Sequence, residues 1–230
     1  MKINFYFLFL IPFFLLVSCE CVPDINTPKV IIPTDFGNVK FINAITDMDS
    51  VDLCAGDEII SIKNMYDSAD VRYKEIASGL ASIRVQSSED SAIYYNTMVE
   101  LKKDAYYTFI AYGTKSRTNG LLLRDSIENP VPSNAYVRFI HLSPDSPEII
   151  YSLGNLLFNQ SVKYKSHTSF LPIPTGSFSL IIKDSGNGNE IKKIDNYDFK
   201  PGKFYDLILK GYYIQPNTKE LTCQVIEFSK

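Results

Sequence analysis

Three stretches of this 230-residue chain carry side chains that could do chemistry. His141-Leu-Ser-Pro-Asp-Ser-Pro147 brings an imidazole, a hydroxyl and a carboxylate close together. Those are the ingredients of a base, a nucleophile and an orienting acid. Asp47-Met-Asp-Ser-Val-Asp52 groups the carboxylates of Asp47, Asp49 and Asp52, ligands of the kind that hard cations such as calcium prefer. The third stretch is the N-terminus. There Lys2 precedes an apolar run from Phe5 to Val17 that closes on Leu16-Val17-Ser18-Cys19. The run is too short to cross a hydrocarbon core of ~30 Å and suits the apolar centre of a signal peptide.

The closing tetrapeptide resembles the lipobox of bacterial lipoproteins. That likeness implies cleavage before Cys19, diacylation of its thiol, and usually a third chain on the new amino terminus. Two or three chains exceed the marginal anchoring given by one. Residues 1–18 would leave as the signal peptide. Residues 19–36 would form the lipidated Cys19 and an extended tether, with Pro23, Pro28 and Pro33 and no apolar period. Glu20, where the inner-membrane retention signal of enteric bacteria has Asp, favours the outer membrane, on its periplasmic or surface face. The membrane is thus an expected partner through the lipid on Cys19. Losing residues 1–18 removes one charged group, Lys2, and takes the net charge from −3 to −4. That balance argues against nucleic acid, which needs a basic stripe. No cofactor is expected.

An internal repeat organises what must hold these groups. Val39-Lys-Phe-Ile-Asn-Ala returns as Val137-Arg-Phe-Ile-His-Leu, 98 positions on. At that displacement Asp47 meets Asp145, Gly56 meets Gly154, Tyr66 meets Tyr164, Tyr107 meets Tyr205 and Gly113 meets Gly211. The spacing predicts two homologous domains, 37–128 and 135–230, joined near Glu128-Asn-Pro-Val-Pro-Ser-Asn134. Short, β-branched and aromatic runs between turn residues predict strands in both. Residues 67–78 could make an amphipathic helix on their own. Their repeat partner carries Pro172 and Pro174, which a helix interior excludes, so a loop followed by a strand is expected in both copies. The fold class is all-β: two tandem antiparallel β-sandwiches. A single large barrel is the alternative that the repeat disfavours.

The second copy carries a resemblance. Val137-Arg-Phe-Ile-His-Leu-Ser-Pro-Asp-Ser-Pro147, Leu171-Pro-Ile-Pro-Thr-Gly-Ser-Phe-Ser-Leu180 and Phe199-Lys-Pro-Gly-Lys-Phe-Tyr-Asp-Leu207 resemble the domain-of-unknown-function family 4397. The first copy matches more loosely. The likeness implies extracytoplasmic, immunoglobulin-like sandwich modules, often in tandem on lipoproteins, with no established enzymatic activity.

The repeat also weighs the candidate sites. In the first copy His141 is replaced by Asn43 and Pro144 by Thr46, so the imidazole is dispensable to the architecture. Side chains at i and i+2 of a strand run parallel rather than converge, and the prolines force a turn that Asp145 would stabilise through a nearby amide. No catalytic residue is assigned. Asp47, Asp49 and Asp52 remain weak calcium candidates because the EF-hand Gly and terminal Glu are missing. The pairs Tyr94-Tyr95, Tyr106-Tyr107 and Tyr212-Tyr213 could place one ring of each outward, and a row of them would suit a glycan. Cys21, Cys54 and Cys223 allow at most one disulfide. Asp-Ser-small triplets at Asp49, Asp67, Asp90 and Asp125 resemble an O-glycosylation signal of some Gram-negative bacteria. The sequence therefore predicts a lipid-anchored module that binds a protein or a glycan, adheres, or scaffolds the envelope without catalysis.

Overall fold

A computed structural model describes residues 33–126, 130–214 and 219–229. The signal peptide, Leu16, Val17, Ser18, Cys19, Cys21 and the tether as far as residue 32 lie outside them. Pro33–Lys230 forms one unit, and the described residues are strands, turns and loops.

The first copy contributes β1 (Phe36–Ile45), β2 (Ser50–Ala55), β3 (Glu58–Met65), β4 (Asp70–Ala77), β5 (Gly79–Ser87), β6 (Ile93–Leu101), β7 (Tyr106–Thr114) and β8 (Arg117–Arg124). The second contributes β9 (Ala135–His141), β10 (Ile149–Leu153), β11 (Leu156–Val162), β12 (Ser166–His167), β13 (Leu171–Ile173), β14 (Gly176–Asp184), β15 (Glu190–Phe199), β16 (Phe204–Lys210) and β17 (Thr222–Phe228). The ambiguous stretch 67–78 is strand β4, as the prolines of its repeat partner require. In the second copy Pro172 and Pro174 divide the same stretch into β12 and β13, because proline cannot donate to a ladder.

Each copy makes two sheets. In the first, β4-β1-β7-β8 forms an inner sheet and β3-β2-β5-β6 an outer one. In the second, β12-β9-β16-β17, with β13 also on β9, is the inner sheet and β11-β10-β14-β15 the outer. Strands pair antiparallel, with one exception per copy: β1 runs parallel to β7, and β9 to β16. The register of that exception is the same in both copies, Asn38 on Tyr106 and Tyr136 on Phe204. Side chains alternate across each strand. Val39, Phe41, Tyr107 and Phe109 face the outer sheet of the first copy, and Val137, Phe139, Tyr205 and Leu207 face that of the second.

The opposite faces of the inner sheets do not meet water. Ile42, Ala44, Ile110, Tyr112 and Leu123 pack against Ile140, Leu142, Ile208 and Ile226 in a third core. The layers therefore run outer, inner, inner, outer. All seven residues of β9 and all seven of β16 are buried, as strands covered on both faces must be. Cys54 and Cys223 are buried and unpaired.

Two repeat residues owe their identity to the chain path. A Cβ on Gly113 (φ 103°) would lie 2.4 Å from the Arg117 carbonyl oxygen. One on Gly211 (φ 86°) would lie 2.3 Å from that of Glu220. A positive φ and such an approach leave only glycine.

Candidate functional site

The imidazole of His141 is fully buried. Its Nδ1 accepts the Ser143 amide at 3.3 Å, which puts the proton on Nε2. Nε2 then donates to the Pro147 carbonyl at 3.0 Å, with Ser146 Oγ 3.2 Å away. Burial lowers the pKa against the pull of that carbonyl, so the ring is neutral at pH 7. The nitrogen beside the Ser146 hydroxyl carries the proton and cannot take another, so the pair is no base and nucleophile. Asn43 does the same work in the first copy. Its Oδ1 accepts the Ile45 amide at 3.0 Å, and its Nδ2 donates to the carbonyls of Asn64 at 3.1 Å and Met48 at 3.4 Å. Both residues staple the loop after the first strand.

Asp145 is a latch across the fold. Its oxygens accept the amides of Tyr213 at 2.7 Å and Ile214 at 2.8 Å. The acid was expected to bond a nearby amide; these lie 68 and 69 residues on. Asp47 accepts the Lys115 amide at 2.5 Å in the hairpin between β7 and β8. Asp49 instead pairs with Lys219 at 2.5 Å, and Asp52 accepts the Lys63 amide at 2.8 Å and Ser88 Oγ at 2.6 Å. The three calcium candidates thus turn to separate partners. Among the described residues no three His, Cys, Asp or Glu side chains converge on a metal position.

The tyrosines do not form a row. Tyr94 and Tyr95 are half-buried against the first-copy core. Tyr106 packs edge-on to Tyr73 at 4.9 Å. Tyr107 accepts the Lys102 amide at 3.1 Å, and its repeat mate Tyr205 accepts that of Lys200 at 2.8 Å. This is the tyrosine corner of immunoglobulin-like sandwiches, in which the phenol ties the chain a few residues upstream. Tyr212 is half-buried at the Thr46 hydroxyl, 3.4 Å away, and Tyr213 is exposed.

Sequence reasoning missed a set of buried charges where the inner sheets meet. Lys40, Asp125, Arg138 and Asp206 are all essentially without solvent contact. Lys40 Nζ lies 3.2 Å from Asp125 and 3.3 Å from Asp206. Arg138 Nη2 lies 2.8 Å from Asp125 and 2.7 Å from Asp206. Tyr73 and Thr108 donate to Asp125 at 2.8 and 2.7 Å. Two cations and two anions balance, each bonded within its own copy and across to the other. Burial opposes the Asp125 charge, but Lys40 and Arg138 outweigh it and hold its carboxyl below the ordinary range. The signal for the cluster lay in the repeat, where Lys40 and Arg138 fall at one position of an otherwise apolar strand. At the other end of the seam, Lys210 donates to the carbonyls of Asn43, at 3.2 Å, and Tyr66, and its ammonium lies 3.8 Å from the Tyr66 ring centroid. Burial without a bonded carboxylate lowers its pKa to about 7.

With this geometry in hand the comparisons become legible. The family model of the domain of unknown function DUF4397 matches residues 37–152. The chain belongs to the DUF4397 family. The matched region takes in the strands of the first copy and, in the second, the stretch Val137–Pro147. The DUF4397 signature acid is therefore the latch that both copies use, Asp47 and Asp145. No curated protein matches by sequence. Among solved structures, a family 26 carbohydrate-binding module of Eubacterium rectale Amy13K, in complex with maltoheptaose, is 11% identical; 84% of this chain and 97% of that one are covered, at a TM-score of 0.28. A candidate adhesin from Bacteroides ovatus is 8% identical, with 84% and 92% covered at a TM-score of 0.25. A candidate cell adhesion protein from Bacteroides uniformis is 8% identical, with 84% and 99% covered at 0.24. Likeness this loose bears on neither ligand nor partner.

Proposed function

We propose that this DUF4397 protein is a non-catalytic binding or adhesion module, held to the outer membrane by lipid on Cys19. One observation carries the reading: the reactive side chains singled out in the sequence are spent on the fold. His141 and Asn43 staple loops, Asp47 and Asp145 latch hairpins, and the seam charges join the two copies. What remains to act is the surface of one body built from two sandwiches. The lipobox and the proline-bearing segment that follows supply an anchor and a spacer.

Fractionation after metabolic labelling with a fatty-acid analogue tests the anchor. Wild type is expected in the membrane fraction with label, and Cys19→Ala as an unlabelled soluble or unprocessed product. A labelled, membrane-bound Cys19→Ala variant would sink the anchor. Adhesion of cells bearing or lacking the protein to immobilised glycans and matrix proteins tests the module. Equal adhesion on every surface would remove the binding reading.

A further inference from the structure

The seam opens along one edge. There β8 of the first copy and residues 167–170 of the second enclose a cleft of about 280 Å³. Leu123 and Phe170 supply apolar lining, Arg124, Arg138 and His167 the cationic and imidazole groups, and Ser126 a hydroxyl. No Asp or Glu lines it. The break between β12 and β13 falls here, and the first copy has nothing like it at the equivalent position. There β4 runs on unbroken, and its Tyr73 packs against Phe228 at 6.3 Å.

The charges on the lining are unequal. Arg138 is neutralised by Asp125 and Asp206, and its Nη1 reaches the Arg124 carbonyl at 3.3 Å. The Arg124 guanidinium has no ion pair among the described residues. Its register mate in the second copy, opposite Tyr205 as Arg124 is opposite Tyr107, is Glu227. Glu227 is occupied by Lys200 at 3.1 Å. His167 Nδ1 donates to the Thr168 carbonyl at 2.9 Å, leaving Nε2 without a described partner. An uncompensated guanidinium beside apolar surface, in a chain of net charge −3, suits a carboxylate, which arginine grips by two parallel charge-assisted bonds. The volume sits at the lower end of the ~300–1,000 Å³ of ligand pockets, enough for one sugar ring or one amino acid.

We infer that the seam cleft binds a small carboxylate-bearing ligand, with Arg124 as the residue that selects for charge. The inference rests on the binding-module reading and names the ligand class for one site on that module.

Titration calorimetry on the detergent-extracted full chain tests it, with D-glucuronate, L-glutamate, D-glucose and sulfate as probes. Glucuronate or glutamate is expected to bind at least tenfold more tightly than glucose or sulfate, and the tighter of the two tells a sugar source from an amino-acid one. Arg124→Glu, which installs the residue found at position 227, is expected to abolish binding. Ser126→Tyr, which fills the cleft without changing charge, is expected to weaken it at least tenfold. Both side chains are exposed, and an unchanged melting temperature in each variant establishes that the fold is intact. Equal binding of glucose or sulfate, no binding of either carboxylate, or full binding by Arg124→Glu would overturn the inference. Adhesion that persists in Arg124→Glu cells, alongside failed titrations, would remove the cleft ligand and leave the module standing. Absent adhesion in wild type would remove the module itself.

Discussion

The inner sheets of the two copies have kept one pattern, whereas the outer sheets have drifted apart. Val39-Lys-Phe-Ile-Asn-Ala in β1 and Val137-Arg-Phe-Ile-His-Leu from β9 agree in size and polarity position by position. The outer sheet of the first copy instead exposes Leu80 (72%), Ile93 (59%) and Met98 (54%). In the second, Lys183 pairs with Glu190 across β14 and β15, and Lys193 with Asp195 along β15 at 2.6 Å. An inner strand must fit its own sandwich on one face and its twin on the other, so a change costs packing twice. An outer strand meets water and is free to take charge or lose it.

Removing one member of the charge cluster should break that likeness most severely. Asp125→Ala leaves Lys40 and Arg138 sharing a single buried carboxylate, and losing one partner of a buried pair costs about 3–5 kcal/mol. Urea denaturation should show a loss of that size. Apolar residues of similar volume at all four positions should restore most of it, since a matched buried ion pair is worth little more than packed hydrocarbon. A loss under ~1 kcal/mol for Asp125→Ala would mean that water reaches the seam.

Exchanging the loop staples sharpens the comparison. His141→Ala strands the Ser143 amide and the Pro147 carbonyl, and each unsatisfied buried group costs about 1–3 kcal/mol. His141→Asn should recover much of the loss, since Asn43 makes the equivalent bonds in the first copy. Equal damage from both substitutions, read by thermal melting, would show that the two loops are not equivalent.

Lys210 gives the smallest effect and a signed one. Its repeat mate is Tyr112, a neutral group at the same position. Folding lowers the Lys210 pKa to about 7, below its ordinary value of 10.5. Between those values the unfolded chain holds more protons than the folded one, so stability rises with pH across that window. Below about pH 7 both states are protonated and the slope from this group vanishes. Lys210→Met should flatten the rise and raise stability at pH 6; denaturation midpoints at pH 6 and pH 9 measure both.

Much of this was legible in the sequence. The alternation in Ser177-Phe-Ser-Leu-Ile-Ile, the glycines at 113 and 211 and the prolines at 172 and 174 each carry a local rule, and the repeat tested one copy against the other. The seam was not legible, because a charged residue alternating with apolar ones marks the solvent face of a strand. Lys40, Arg138, Asp206 and Lys210 obey that pattern and are nonetheless buried. Only pairing two inner sheets, through contacts such as Arg138 with Asp125 and Lys40 with Asp206, supplies the partners that make such burial tolerable. The tyrosine pairs misled for a related reason. On β6 and β7 each ring has protein on its own side, which a period of two cannot reveal.

The central claim is that the seam makes the two copies one body. Native-state hydrogen exchange in rising urea, read by mass spectrometry on peptides from β5 and β14, tests it most directly. These strands lie in opposite outer sheets and share no contact, so only the seam can couple them. The account predicts that both lose protection at the same urea concentration, in one cooperative step. If β14 exchanges fully at a concentration where β5 stays protected, or the reverse, the copies are independent domains and the claim is contradicted.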